Sequence, residues 1–151
     1  MAKIYPEISD DFHNSLGEYK IFEALKRMSD DWNVYYSVNW HKRENSGRIR
    51  WGEADFLIFN PKKGILVIEV KSGGIKYENG RWIQKRLDTF EEVSMKNPFI
   101  QADRSKYTII ENLGSSLFFV DKCLVDRAVW FPSLDKEQLK QIQLPLEYDK
   151  N

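Results

Sequence analysis

Between Trp51 and Lys71 two apolar runs rich in β-branched and aromatic residues flank Asn60-Pro61-Lys62-Lys63-Gly64. That pattern predicts a β-hairpin with a loop of about five residues. Pairing outward from Lys62 sets Phe59 against Ile65, Leu57 against Val67, Asp55 against Glu69 and Glu53 against Lys71. Side chains alternate along a strand, so these eight share one face, and Phe56, Ile58, Leu66, Ile68 and Val70 take the other. Both faces are apolar in the middle of the hairpin. It therefore belongs inside a sheet covered on both sides.

At the open end of the hairpin this register places two carboxylates across from one another. Facing Cβ atoms lie roughly 4.5–5.5 Å apart, and like charges so placed destabilise the pair. A cation between them removes the conflict. Lys71 supplies one charge, and a divalent metal would supply two. Mg²⁺ takes carboxylate and carbonyl oxygens and keeps several waters, which suits the open end of a sheet. Asp55, thirteen intervening residues, then Glu69-Val70-Lys71 is thus a candidate metal site with a lysine beside it.

Two helices flank this hairpin in the chain. The first begins at Ser15, with Glu18 in capping-box position, and fades at Ser29-Asp30-Asp31. Glu18 lies on the stripe of Phe22 and Leu25, so it either caps the helix or reaches toward the sheet, where a carboxylate needs a partner. The second starts at Asn97-Pro98 and runs to Gly114. Its row Gln101, Ser105, Thr108 and Asn112 lies opposite the apolar stripe, and Gln101 reads on spacing alone as an exposed residue. Between these elements Val34 to Trp40 alternates as a strand, with Val34, Tyr36, Val38 and Trp40 on one face. His41 to Arg50 reads as a polar, basic loop in which Lys42, Arg43, Arg48 and Arg50 are candidates for phosphate contacts and Trp51 for stacking on a base. His41 has no second histidine at metal spacing, so zinc is not expected. Ile75-Lys76-Tyr77 and Trp82-Ile83-Gln84 form a small hairpin around Asn79-Gly80, and residues 85–96 read as irregular. Leu117 to Val120 is a short apolar run, Cys123 to Phe131 a core strand stopped by Pro132, and Ser133 the cap of a last helix through Gln141.

Ala54-Asp55 followed by Ile68-Glu69-Val70-Lys71 resembles the PD-(D/E)xK nuclease superfamily. The fuller run from Gly52 to Gly73 looks like its nuclease-related domain (NERD) branch, with Ala54 standing where the name-giving proline would be. Gly17-Glu18 in the first helix and Asn97-Pro98-Phe99-Ile100-Gln101 at the start of the second are similar to further NERD motifs. The resemblance covers roughly residues 15–132. It implies an α/β, restriction-endonuclease-like core with a mixed central sheet flanked by helices, and Mg²⁺- or Mn²⁺-dependent phosphodiester cleavage. On that basis Asp55, Glu69, the Val70 carbonyl and Glu18 are the expected metal ligands. Lys71 and Gln101 are the expected partners of the attacking water, and Glu53 the salt-bridge partner of Lys71. Such domains also occur fused to helicase-like or kinase-like modules.

With 23 Lys and Arg against 23 Asp and Glu, the chain has no global basic field to announce nucleic acid. The distribution is uneven: residues 40–86 hold 11 basic against 5 acidic side chains, leaving +6 there and −6 elsewhere. A lone cysteine, Cys123, permits no internal disulfide and no zinc cluster and reads as a small buried hydrophobe, which favours a cytoplasmic setting. No signal-peptide core and no run of membrane-spanning length is present, so no membrane partner is expected. The chain divides into a lead-in over 1–14, the nuclease-like domain over 15–144, and a tail or cut linker over 145–151. The expected activity is a nuclease domain acting on nucleic acid, DNA rather than RNA. A homo-oligomer is also compatible with the sequence. The rivals are a non-cleaving nucleic-acid-binding module that retains the fold, and a protein-docking domain whose carboxylates merely pair with Lys71.

Overall fold

The structure, a computed structural model, describes residues 1–7, 12, 15–114, 123–142 and 144. The apolar run Leu117 to Val120 and the tail lie outside the described residues. In chain order the elements are β1 (Lys3–Tyr5), α1 (Leu16–Lys26), β2 (Asn33–Arg43), β3 (Ile49–Asn60), β4 (Gly64–Val70), β5 (Gly74–Glu78), β6 (Arg81–Lys85), β7 (Glu92–Met95), α2 (Pro98–Gly114), β8 (Val125–Trp130) and α3 (Lys136–Gln141). Five strands make one sheet in the order β1-β2-β3-β4-β8, and β5-β6-β7 make a second. In the large sheet the outer pairs β1–β2 and β4–β8 are parallel and the inner pairs antiparallel, so the sheet is mixed.

The β3–β4 hairpin has the predicted register for Phe59–Ile65 and Leu57–Val67, but the ladder ends at Phe56–Ile68, short of the expected pairs Asp55–Glu69 and Glu53–Lys71. Its turn closes because the buried Asn60 accepts from the backbone N–H of Lys62 and of Lys63 through Oδ1, a local side-chain turn of the kind Asn favours. Gly64 follows at φ +109°, where a Cβ would lie 2.1 Å from the Leu124 carbonyl. Both faces are covered. Ile21, Phe22 and Leu25 of α1 pack on Tyr36, Phe56, Ile58, Ile68 and Val70, while Ile109 of α2 packs with Ala54 and Val67 on the opposite face. Phe99, Phe131 and Ile142 join the small sheet to the rest through Trp82 and Ile75.

Several elements differ from the sequence reading. Lys3–Tyr5, expected within a lead-in, pairs parallel with β2. The stretch His41 to Arg50 is no loop: β2 runs on to Arg43 and β3 starts at Ile49, with Lys42 opposite Arg50. Only residues 44–48 turn, held by Glu44–Arg48 and Gly47–Glu44 backbone hydrogen bonds. Ladder hydrogen bonds use the backbone, so a polar sequence pairs as well as an apolar one. Glu92–Met95, read as irregular, is a third strand beside β6. Asp135, not Ser133, caps α3, in a reciprocal capping box with Gln138, while Ser133 Oγ accepts from the Gly73 N–H. Cys123 precedes β8 and is only half-buried.

The alternation of β2 and β3 changes phase midway. Tyr36 and Phe56 face α1, but Val38 and Ala54 pack on the α2 side, and Trp40 Nε1 donates to Ser105 of α2. Residues of equal parity thus lie on opposite faces, where the sequence reading set Val34, Tyr36, Val38 and Trp40 together. The ladder runs Tyr36–Phe56 and then Val38–Ala54, skipping the Ser37–Asp55 pair between them. Ser37 has φ 57°, left-handed backbone that turns the strand over without adding a residue. A β-branched side chain tolerates that region poorly. Ser37→Val should therefore lower unfolding stability by about 1–2 kcal/mol in urea titrations, while Ser37→Gly leaves it unchanged or raised.

Candidate active site

The phase change falls at Asp55. The β3–β4 ladder stops at Phe56–Ile68, so Asp55 has no backbone partner on β4, and its Oδ2 accepts from the Val70 N–H at 2.6 Å instead. On β4, Glu69 is 5% exposed and pairs with Lys71, Nζ to Oε1 at 2.7 Å. The Lys71 backbone is fixed in turn, its N–H donating to the carbonyl of Trp130, the last residue of β8. The ion pair of Lys71 is thus with Glu69, where the hairpin register had pointed to Glu53.

Glu18 approaches from α1. Ser15 Oγ accepts from the Glu18 N–H, capping the helix, while the Glu18 carboxylate accepts from the Tyr36 hydroxyl at 2.7 Å. Ser15 alone caps, its own N–H donating to the Phe12 carbonyl, so no capping box forms and the Glu18 side chain reaches to the sheet. The preceding Gly17 makes the approach possible: a Cβ there would lie 1.8 Å from Ser72 Oγ and 2.9 Å from Pro132 Cγ. From the other face, Ser105 of α2 donates to the Glu53 carbonyl. Gln101 stands one turn earlier on that helix, and its buried Oε1 has no hydrogen-bond partner among the described residues. The polar row of α2 is therefore no solvent face, since Ser105 and Thr108 are buried while Ile100 and Tyr107 are exposed.

Four carboxylates share this mouth of the sheet, and their charges reach one another. Burial pushes Asp55 up to about 7, the neighbouring Glu69 and Glu18 add to the rise, and the Val70 N–H and Lys71 oppose it. Burial also raises Glu69 against the pull of Lys71, with Glu18 and Glu53 adding to the rise. Tyr36 is raised by burial and by the Glu18 carboxylate that it holds. Among the described residues, Lys71 is the cation that opposes the rise at Asp55 and Glu69. Desolvated oxygens with an excess of negative charge are the donor set that a hard divalent ion takes. Among the described residues, no three acidic, His or Cys side chains stand gathered as a finished metal cluster. The fit lies in the charge and in the oxygen donors.

The sequence-identified basic residues stand apart from these acids. Lys42 pairs with Glu111 of α2 and Arg50 with Glu44. Arg43 lies at the end of β2 and Arg48 in the turn. Tyr36 and Ser105 were missed. Their signal was weak: a hydroxyl on an apolar strand, and one within a row read as solvent-facing.

A mixed sheet with helices on both faces, and an Asp and a Glu-x-Lys at the open end of its central hairpin, is the frame of a restriction-endonuclease-like core. The chain belongs to the NERD (nuclease-related domain) family, whose model matches residues 13–132. No curated protein and no solved structure gives a significant match. Among the described residues, no helix is long and apolar enough to cross a membrane.

The raised Asp55 group has a pH signature in the metal-free protein. Its folded value of about 7 exceeds its ordinary 3.8, so between those limits the folded chain holds a proton that the unfolded chain has released. Unfolding free energy then falls as pH rises from about 4 to about 7 and levels off above. Asp55→Asn keeps an acceptor for the Val70 N–H and removes the charge. In EDTA it should melt higher than wild type at pH 8 and no higher at pH 4, measured by thermal denaturation.

Proposed function

We propose that the chain is a metal-dependent nuclease domain that hydrolyses phosphodiester bonds of nucleic acid, with DNA as the substrate. The observation that carries this reading is the placing of two buried carboxylates at the open end of one hairpin, Asp55 on the Val70 N–H and Glu69 beside Lys71, with burial raising both. Asp55 and Glu69, with the Val70 carbonyl, would hold Mg²⁺ or Mn²⁺, and Glu18 would complete the set directly or through water. A bound divalent ion supplies charge to a phosphoryl oxygen and lowers the pKa of its water.

The residues themselves supply the rest. Lys71, ion-paired to Glu69 and 21% exposed, would position or deprotonate the attacking water and offset charge that builds on the phosphorus oxygens. Gln101, with its unpartnered Oε1, accepts a hydrogen bond from that water or from Lys71. Tyr36 holds Glu18 by its hydroxyl and keeps that carboxylate turned toward the sheet. Lys42, Arg43, Arg48 and Arg50 supply phosphate contacts on the arm formed by β2 and β3, away from the acids.

The test incubates plasmid and single-stranded DNA with Mn²⁺ and compares wild type, Asp55→Ala and Lys71→Ala. Each substitution should lower the cleavage rate by at least about 100-fold. Cleavage surviving in both removes these residues from the mechanism. Binding of DNA without cleavage under any divalent ion favours the non-cleaving module. In a companion melt, Mn²⁺ at a hundred times its dissociation constant should stabilise wild type by about 2.7 kcal/mol and leave Asp55→Asn unmoved.

A further inference from the structure

Beyond the phase change at Ser37 and Asp55, β2 and β3 continue as a two-stranded arm. One side of it faces α2: Trp40 bonds to Ser105, Lys42 to Glu111, and a Cβ on Gly52 would lie 2.1 Å from the Trp40 indole. Alternation therefore turns the pairs Arg43–Ile49, His41–Trp51 and Asn39–Glu53 to the other side. That side leads to the acids, since Glu53 lies within electrostatic reach of Glu69 and Tyr36. Along it the chemistry is graded. An exposed arginine stands at the far end, an aromatic pair in the middle, and carboxylates at the mouth of the sheet.

Trp51 is 70% exposed and Ile49 41%. The His41 ring backs the indole, with centroids 5.2 Å apart and planes tilted by 45°. From Trp51 to Glu53 is two residues of strand, roughly 7 Å. We infer that His41 and Trp51 form a platform on which an unpaired base stacks, with Arg43 and Arg48 holding the adjoining phosphates, so that the chain takes single-stranded nucleic acid. This rests on the proposed function for what happens at the acids, but the binding itself does not need cleavage.

The argument for one strand over two is geometric. A broad indole face offered to solvent gains from a base that presents its own face, and in a duplex the base faces are covered by neighbouring pairs. Charge agrees with the same occupant. Residues 41–51 hold Lys42, Arg43, Arg48 and Arg50 against Glu44 alone, so a phosphate backbone meets net positive charge on the arm.

The test measures binding by fluorescence anisotropy in EDTA, where metal-dependent cleavage is off, with labelled oligothymidylate, a duplex of equal length and an abasic oligomer. Trp51→Ala should weaken oligothymidylate binding by about 5- to 150-fold, the range that base–aromatic stacking supplies. Trp51→Phe should restore most of it. The duplex should respond less than about twofold, and the abasic oligomer should bind wild type and Trp51→Ala alike. Melting temperature should not move, because the side chain is mostly in solvent. Equal affinity of Trp51→Ala and wild type for the single strand overturns the inference. So does an equal loss on the duplex, or on the abasic oligomer. A chain that binds as described but cuts nothing would sink the nuclease reading and leave this one standing.

Discussion

The structure turns on one hydrogen bond in an unusual place, from the Val70 backbone N–H to a side-chain oxygen of Asp55. In an unbroken antiparallel ladder that donor would find a carbonyl on β3. Here the ladder has ended one pair earlier, and the carboxylate stands in as acceptor. A buried amide cannot be left without a partner, so the bond fixes the Asp55 side chain at the mouth of the hairpin. One carboxylate oxygen is committed to the fold by this bond.

Around that point, each neighbouring element contributes an acid and a reason for its position. β4 brings Glu69 with Lys71 two residues on, on the same side of the strand, and β8 holds the Lys71 backbone through Trp130. α1 brings Glu18 because Gly17 lets its first turn close on Ser72 and Pro132. Tyr36 of β2 completes the inner side by donating to Glu18. None of these contacts would be needed to bury an apolar core. Their common result is to hold negative charge in a place where desolvation opposes it, an arrangement that functional sites favour and structural cores avoid.

How much of this was legible in the sequence follows from what alternation can encode. The hairpin register was readable because apolar residues on both sides of Asn60 to Gly64 match only one pairing. The same register pointed on to Asp55 and Glu69, but the ladder ends at Phe56–Ile68 and Asp55 turns to the Val70 N–H instead. The arm was not readable, because the charged and polar run from His41 to Arg48 breaks the apolar alternation. Nor was the burial of Thr108, or that of Ser105, whose hydroxyl donates to the Glu53 carbonyl and accepts from Trp40 Nε1 across the sheet. The ion pair of Lys71 was assigned across the hairpin, to Glu53, where side chains on the same strand two residues apart are also neighbours. The phase change at Ser37 left no mark at all: Val34, Tyr36, Val38 and Trp40 keep an unbroken spacing of two while the backbone between them turns over.

That turn explains residues which otherwise look arbitrary. With regular alternation, Glu53 would point to the α2 side beside Leu57 and Val67, where Ile109 packs, and its carboxylate would meet an apolar surface. Turned over, the position facing Ile109 belongs to Ala54, fully buried and small enough to lie beneath the helix. Glu53 moves to the side of Glu18 and Tyr36, and only its carbonyl is left to α2, where Ser105 donates to it. The same half-turn sends Trp40 to α2 and Trp51 to solvent. A single serine in left-handed backbone thus sorts two tryptophans and an acid among three environments. Since the change of face coincides with the end of the β3–β4 ladder at Asp55, the break that opens the site and the break that aims the arm are one structural event.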